Sequence, residues 1–329
     1  MTTASCAVVF ILAILIDWIW GDPRSSWHPV AGMGKMIGWL DHRLQAFCKK
    51  RNWNMTRDKW KVRCLGTLLP LTVAGSVWGA AYLLVRVAGQ IHLVLGILCE
   101  TVLIWLAIAP RGLAESGEAI YEALVNKDLE LARRRLSMVV GRDTSRLNKE
   151  EVVRGGVETI AENIVDAIIS PLFYAAIGGA PLAMAYRAVN TLDSMVGYKN
   201  RTYLHLGWAS ARLDDLANWL PARTMVPFML FALGLLRLSP RAAWKTVRED
   251  AHKHPSPNSG IPESLMAGGL QIQLGGVNVY QGVRSIRSRM GKPVQSRRAK
   301  HLLLAIRVMW FTTWLYLLAM IFLSGLIHG

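Results

Sequence analysis

The chain is short of charge, and shorter still of acid: 18% of its 329 residues are charged, with 22 Asp plus Glu against 38 Lys plus Arg. Beside a hydrophobic fraction of 52%, that scarcity excludes a disordered chain, which stays open for want of apolar side chains to bury. The same composition excludes a collagen-like chain and a small disulfide scaffold. Cys6, Cys48, Cys64 and Cys99 include no pair at Cys-X-X-Cys spacing, so neither zinc nor a disulfide framework is indicated. No GxxxxGK[ST] phosphate loop occurs, and the GMGKMIG run from Gly32 lacks the spacing and the preceding strand of a dinucleotide loop. Internal repeats and low-complexity tracts are missing, and alternating strand patterns are scarce.

With so few charges, a net charge of +16 requires basic residues segregated from long apolar stretches. The excess therefore reads as membrane topology before it reads as nucleic-acid binding, and no nucleic-acid partner is expected. Four windows are close to the roughly 20 apolar residues that cross a hydrocarbon core: Ala4 to Trp20, Leu65 to Val85, Ile91 to Ala109 and Leu302 to Ile327. The first has no Lys or Arg before it and ends on Asp17, Trp18 and Trp20, so a retained helix is expected there, not a cleaved signal. Two further windows are broken: Ile168 to Ala188 by Gly178, Gly179 and Pro181, and Leu216 to Leu236 by Pro221, Arg223 and Pro227. They read as full spans or as re-entrant segments lining a cavity. The expected fold is all-α, one polytopic membrane domain over residues 1–329 with lipid as its surroundings.

Basic loops set the orientation. Asp41 to Arg63 carries eight basic and two acidic residues, and Arg237 to Lys300 carries twelve and three, which predicts cytoplasmic segments. A helical segment over 110–166 and a basic segment over 237–300 with a Pro-rich loop are expected on that side. Glu115 to Val140 has helical periodicity up to a C-capping Gly141, and Asn148 with Glu151 forms a capping-box pattern that opens the next helix.

That next helix places Glu158, Glu162 and Asp166 at i, i+4 and i+8, a stripe of carboxylates that repel unless a cation lies between them. A hard cation such as Mg²⁺ would resolve the repulsion, and a solvated helix face is the plainer alternative. Upstream, GRDTSRL offers Arg142 and Arg146 as phosphate or carboxylate clamps, or an ordinary turn capped by Asp143, Thr144 and Ser145. GDPRSSWHP holds Asp22, Arg24 and His28 in a proline-bounded loop, with Trp27 as an interface anchor. The middle segment brings Arg187, Asn190, Asp193, Lys199, Arg212, Asp214, Asp215 and Asn218 to the membrane edge, where ionisable residues facing a bundle interior are functional by default. Finally, HKHPSPNSGIPESLMAGG starts a helix at Pro262. The amides around Asn258, Ser259 and Ile261 would then form an anion site at that helix N-terminus, beside Glu263 and His254.

Six ordered blocks, GDPRSSWHPV, VGRDTSRL, GGVETIAENIVDAIISPLFY, YRAVNTLDSMVGYKN, ARLDDLANWLPAR and HPSPNSGIPESLMAG, closely resemble the CobD/CbiB family of cobalamin biosynthesis, adenosylcobinamide-phosphate synthase. The resemblance implies an ATP-dependent amide ligation in the bacterial inner membrane. It would join a carboxylate of adenosylcobyric acid, a corrinoid, to aminopropanol or aminopropanol phosphate. ATP and Mg²⁺ would activate the carboxylate, basic residues would neutralise the phosphoryl group, and a base would free the amine. On chemistry, Glu158, Glu162 and Asp166 are assigned to metal. Arg142, Arg146, Arg187, Lys199, Asn258 and Ser259 are assigned to phosphates, and Asp193, Asp215, Glu263 or His254 to proton transfer. The active site is expected on the cytoplasmic side, with self-association or association with other cobalamin-assembly enzymes left open. The alternatives are an AmpE-like signalling protein, in which the carboxylate stripe and the NSGIPES loop would be eroded, and a small-molecule transporter, for which no inverted repeat is visible.

Overall fold

A computed structural model describes residues 3–23, 28–280 and 282–328. In chain order the elements are α1 (Thr3–Trp20), α2 (Pro29–Lys50), α3 (Lys59–Gly66), α4 (Leu68–Ile91), α5 (Leu93–Ala107), α6 (Pro110–Val125), α7 (Leu129–Ser137) and α8 (Lys149–Ile164). A π-turn (Val165–Ile169) follows, then α9 (Ser170–Val196), α10 (Tyr203–Leu206), α11 (Trp208–Leu235), α12 (Pro240–Asp250) and α13 (Gly260–Leu270). A hairpin of β1 (Leu274–Tyr280) and β2 (Val283–Met290) precedes α14 (Lys300–His328).

The chain is a polytopic helical membrane protein. Four helical runs are long and apolar enough to cross a membrane: Lys59–Ile91, Leu93–Val125, Lys149–Val196 and Lys300–Ile327, with a shorter apolar helix at Ser5–Trp20. The first broken window is a helix with an internal break, where Gly178 and Gly179 leave helical geometry and Gly179 takes φ +63°. Backbone freed at such a break needs a protein partner in an apolar setting. Buried Glu100 on α5 supplies it, accepting from the Ala180 amide at 3.3 Å. A Cβ on residue 179 would run into that carboxylate, so glycine is required there by both space and backbone angle. The second broken window stays helical through Pro221 and Pro227.

Two compact units emerge from the contacts. One comprises Met1–Ile108, Ser170–Asn218 and Met320–Gly329, the other Ala109–Ile169 and Trp219–Ala319. In the first, α4 and α5 form a close hairpin and both pack on α9. His28 caps α2, its Nδ1 accepting from the Val30 amide at 3.2 Å, while its Nε2 lies 2.9 Å from Asp22 Oδ1. That makes His28 a structural residue; Arg24 and Trp27 lie outside the described residues. In the second unit α13 packs against α12 and α8, and a Cβ at Gly268 would meet Ala242, Ala243 and Thr246 of α12.

Two local expectations change. The helix drawn from Glu115 to Val140 is two helices, interrupted where Lys127 adopts φ +61° and the Asp128 side chain caps the Leu131 amide at 2.8 Å. The β-hairpin is new. It is antiparallel, pairs Val277 with Ile286 and Tyr280 with Val283, and carries an irregularity between Leu274 and Gly276. Gly275 and Gly276 there have φ of +79° and +105°, and a Cβ at Gly275 would meet the Ser288 carbonyl.

Candidate functional site

In the second unit the site grows from α8. Asn148 and Glu151 form the reciprocal capping box that the pattern predicts, each side chain bonding the other's amide at 2.9 Å. Ten residues on, Glu158 is 4% exposed. Its Oε2 accepts from Arg142 Nη1 at 2.8 Å, and its Oε1 accepts from the Gly275 amide at 2.8 Å with Arg154 Nη1 at 3.5 Å. Arg154 donates to the carbonyls of Gly275 at 2.8 Å and Val277 at 3.0 Å, and to Asn278 Oδ1 at 3.2 Å. Arg142 reaches the same Asn278 oxygen at 2.5 Å. A buried ion triad therefore ties α8 and the GRDTSRL loop to β1.

This arrangement gives one member of the carboxylate stripe, Glu158, partners within the protein. Among the described residues no three His, Cys, Asp or Glu side chains converge on a site that could hold a metal. Glu158 is taken up by guanidinium and amide donors, and the helix widens into its π-turn at Val165, so the four-residue spacing that put Asp166 on the stripe no longer holds. Glu162 is the member left over, half-buried and with no hydrogen bond or ion pair among the described residues. Arg142 is a buried structural partner with one free donor, Nε. Arg146 is exposed, and its loop is held as a turn by Asp143 Oδ1 accepting from Ser145 and by Thr144 Oγ1 donating to the Arg133 carbonyl.

Beside the triad lies a polar cavity of about 130 Å³, lined by Arg142, Glu158, Glu162, Asn163, Tyr280 and Arg287 among others. Arg287 donates to the Tyr280 hydroxyl at 3.3 Å. Burial alone would lower its pKa, but Tyr280, Glu162, Glu263 and Glu158 outweigh burial and hold the guanidinium above its usual value.

His254 and Glu263 stand together. Glu263 is 1% exposed, and neither of its oxygens accepts a hydrogen bond. His254 Nε2 lies 3.4 Å from Oε1. His254 Nδ1 accepts from the Ser256 amide at 3.0 Å, which leaves Nε2 as the ring position facing the carboxyl group. Burial, then the charges of Glu162 and Glu158, push Glu263 well above the carboxylate range, while burial pulls His254 below the usual imidazole value. The two groups thus titrate as one couple, drawn toward each other from opposite sides.

The amides of the Pro-rich loop have partners within the loop itself. The amides of Asn258 and Ser259 both point to Ser256 Oγ at 3.3 Å, and the Ile261 amide bonds the Asn258 carbonyl at 3.0 Å. The helix begins at Gly260, two residues before Pro262. Asn258 itself is buried, with Oδ1 3.4 Å from Arg223 Nη1. Gly260 is needed for space: a Cβ would strike the Ala251 carbonyl and sit 2.7 Å from His254 Cβ. Gly260→Ala is therefore expected to destabilise by about 1–3 kcal/mol through overpacking, read as a lower melting temperature in detergent. An unchanged melting curve would mean that the 251–254 segment yields freely.

In the first unit, Asp193 and Arg187 lie on α9 and Lys199 is exposed beyond it. Asp215 lies 3.6 Å from Arg212 on the same helix. The carboxyl group of this segment that the sequence reading named but gave no role is Asp214. It accepts from Asn218 Nδ2 at 3.0 Å and Asn190 Nδ2 at 3.4 Å. Asn218 Oδ1 in turn accepts from Ser170 Oγ at 2.5 Å and from the Tyr186 hydroxyl at 2.7 Å. Burial, then the neighbouring Asp193, push Asp214 up to about 7. Its four-residue spacing to Asn218 was visible in DDLAN, as was that of Arg154 to Glu158; Arg287 and Tyr280 carried no comparable signal.

The profile of the CobD/Cbib protein family matches residues 10–309. A cobalamin biosynthesis protein CobD from Geobacter metallireducens is 47% identical over 295 residues, covering 90% of this chain and 89% of that protein. A CobD from Halalkalibacterium halodurans is 44% identical over 99% of both chains. A cobalamin biosynthesis protein CbiB from Salmonella typhimurium is 40% identical over 95% of this chain and 96% of its own length. No solved structure matches. A profile match along nearly the whole chain, and relatives this similar over their full lengths, establish that the chain belongs to the CobD/CbiB family of cobalamin biosynthesis proteins.

Proposed function

We propose that this protein is an amide-forming ligase. It joins a carboxylate of adenosylcobyric acid to aminopropanol or its O-phosphate, on the cytoplasmic side of the bacterial cell membrane. The observation that carries the reading is the His254–Glu263 couple, a buried carboxyl group with no hydrogen bond and an imidazole 3.4 Å away. Such a pair can hold or release one proton at low cost, which suits a base that must deprotonate an amine.

ATP would supply activation: a carboxylate oxygen attacks its γ-phosphorus, the bond to the bridging oxygen breaks and ADP leaves, giving an acyl phosphate. The amine nitrogen then attacks the acyl carbon, the bond from that carbon to the phosphate oxygen breaks, and phosphate leaves with the bonding pair. The nitrogen sheds its extra proton to the ionised Glu263 with neutral His254 beside it. Mg²⁺ would accompany the nucleotide, whose phosphate oxygens and water supply most of its ligands.

The test is purified protein in detergent with adenosylcobyric acid, MgATP and each amine, followed by mass detection of the product. Amide formation dependent on ATP is expected with at least one amine. Corrinoid binding without any amide would overturn the ligase reading and favour an AmpE-like sensing role.

A further inference from the structure

The polar cavity of about 130 Å³ has room for a phosphate group and a few carbons. It is well below the roughly 300–1,000 Å³ of pockets that hold drug-sized ligands, and so too small for an adenine nucleotide. Its lining is charged in both senses. Arg142 is 7% exposed, and its Nε is a buried donor with no acceptor, although Nη1 is held by Glu158 and Asn278. An unpaired buried donor is costly unless a ligand supplies the acceptor. Arg287 has one hydrogen bond, to the Tyr280 hydroxyl, and its remaining donors are unassigned. Glu162 lines the same cavity with no hydrogen bond or ion pair among the described residues, while the other lining carboxylate, Glu158, is already neutralised by two guanidinium groups.

The Arg142 Nε donor, the Arg287 donors not used by Tyr280 and the Glu162 carboxylate are together complementary to a small zwitterion with an oxyanion at one end and an ammonium at the other. We propose that this cavity is the pocket for the small amine substrate, with Arg287 and Arg142 Nε receiving an oxyanion and Glu162 receiving the ammonium. Arg287, carried in by the β-hairpin, is then the residue that distinguishes a phosphorylated amino alcohol from the neutral alcohol. The assignment rests on the amide-ligation reading for the identity of the ligand.

Calorimetric titration of the purified full chain with aminopropanol O-phosphate, aminopropanol and inorganic phosphate separates these contributions. The O-phosphate should bind more tightly than either fragment. Arg287→Gln should weaken it roughly tenfold or more while changing aminopropanol less than about twofold, as expected for loss of charge-assisted hydrogen bonds to the oxyanion alone. Arg287→Lys should recover part of the loss, and Glu162→Gln should weaken both amines and spare inorganic phosphate. Tyr280→Phe, which keeps the ring and removes the hydroxyl that steadies Arg287, should reproduce the selectivity change in milder form and decides the matter if Arg287→Gln does not fold. Unchanged selectivity in the folded variants, or equal losses for both amines, overturns the proposal. Selective amine binding by a wild-type protein that forms no amide would remove the ligation reading and leave the cavity assignment standing; amide formation with unchanged selectivity would do the reverse.

Discussion

Replacing Glu263 with Gln is expected to lower the rate of amide formation by about 10²- to 10⁴-fold, the contribution typical of a positioned general base. The substitution keeps the size of a side chain that is 1% exposed, and removes only its ability to take up a proton. Because burial and the nearby Glu162 and Glu158 raise the Glu263 pKa, the base form is the one gained as pH rises. The wild-type rate should therefore climb along an acid limb that lies above the ordinary carboxylate range, and the variant should lack that limb.

The same shift sets the stability sign. A group whose folded pKa exceeds its unfolded value contributes stability that is present below the unfolded pKa and lost as pH rises through the folded one. The Glu263→Gln protein should thus melt higher than wild type on the alkaline side, by an amount that corresponds to about 1.4 kcal/mol for each pKa unit of displacement. A purely structural Glu263 would show the same alkaline melting shift but leave the acid limb of the rate profile in place in the variant. Steady-state rates across pH distinguish the two, and melting curves check the shift.

Removing the charge of Glu158 should be the most damaging change to folding. Glu158→Gln leaves Arg142 and Arg154, 7% and 2% exposed, without their shared counter-charge. Breaking a buried pair in this way costs about 3–5 kcal/mol, because the uncompensated charge stays desolvated. The damage should centre on the hairpin, since Arg154 holds the Gly275 and Val277 carbonyls and Glu158 holds the Gly275 amide. Limited trypsin digestion in detergent reads this directly: Arg284, Arg287 and Arg289 on β2 should become cleavage sites, together with a lower melting temperature. Asp166→Asn, on a half-buried residue of the π-turn, should change neither. Resistance and melting equal to wild type in Glu158→Gln would show that the triad contributes nothing to hairpin attachment.

Much of the architecture was legible in the residues because its signals are local. Apolar runs of spanning length, the Asn148–Glu151 capping box and the glycine break at Gly178–Gly179 each depend on neighbours within a turn or two of chain. The division at Lys127 was legible too, in the Asn-Lys-Asp run, but helical periodicity on both sides masked it. The β-hairpin had the β-branched residues of a strand pair on either side of Gly282, a weak pattern in a chain dominated by helices.

The order of the six motif blocks and the grouping of His254 with Glu263 followed from the sequence by itself, since those two residues sit one loop apart. The partners of the charged side chains did not. Arg142 meets Asn278 across 136 positions and Glu158 meets Gly275 across 117, so only packing could decide that Arg142 ties its loop to β1 and that two arginines hold Glu158. Likewise the Asn258 and Ser259 amides turned inward to Ser256 instead of outward to an anion. A backbone conformation is chosen by sterics along a few residues, whereas the fate of a buried charge depends on which distant donors reach it before water is expelled, and that is settled by the tertiary fold.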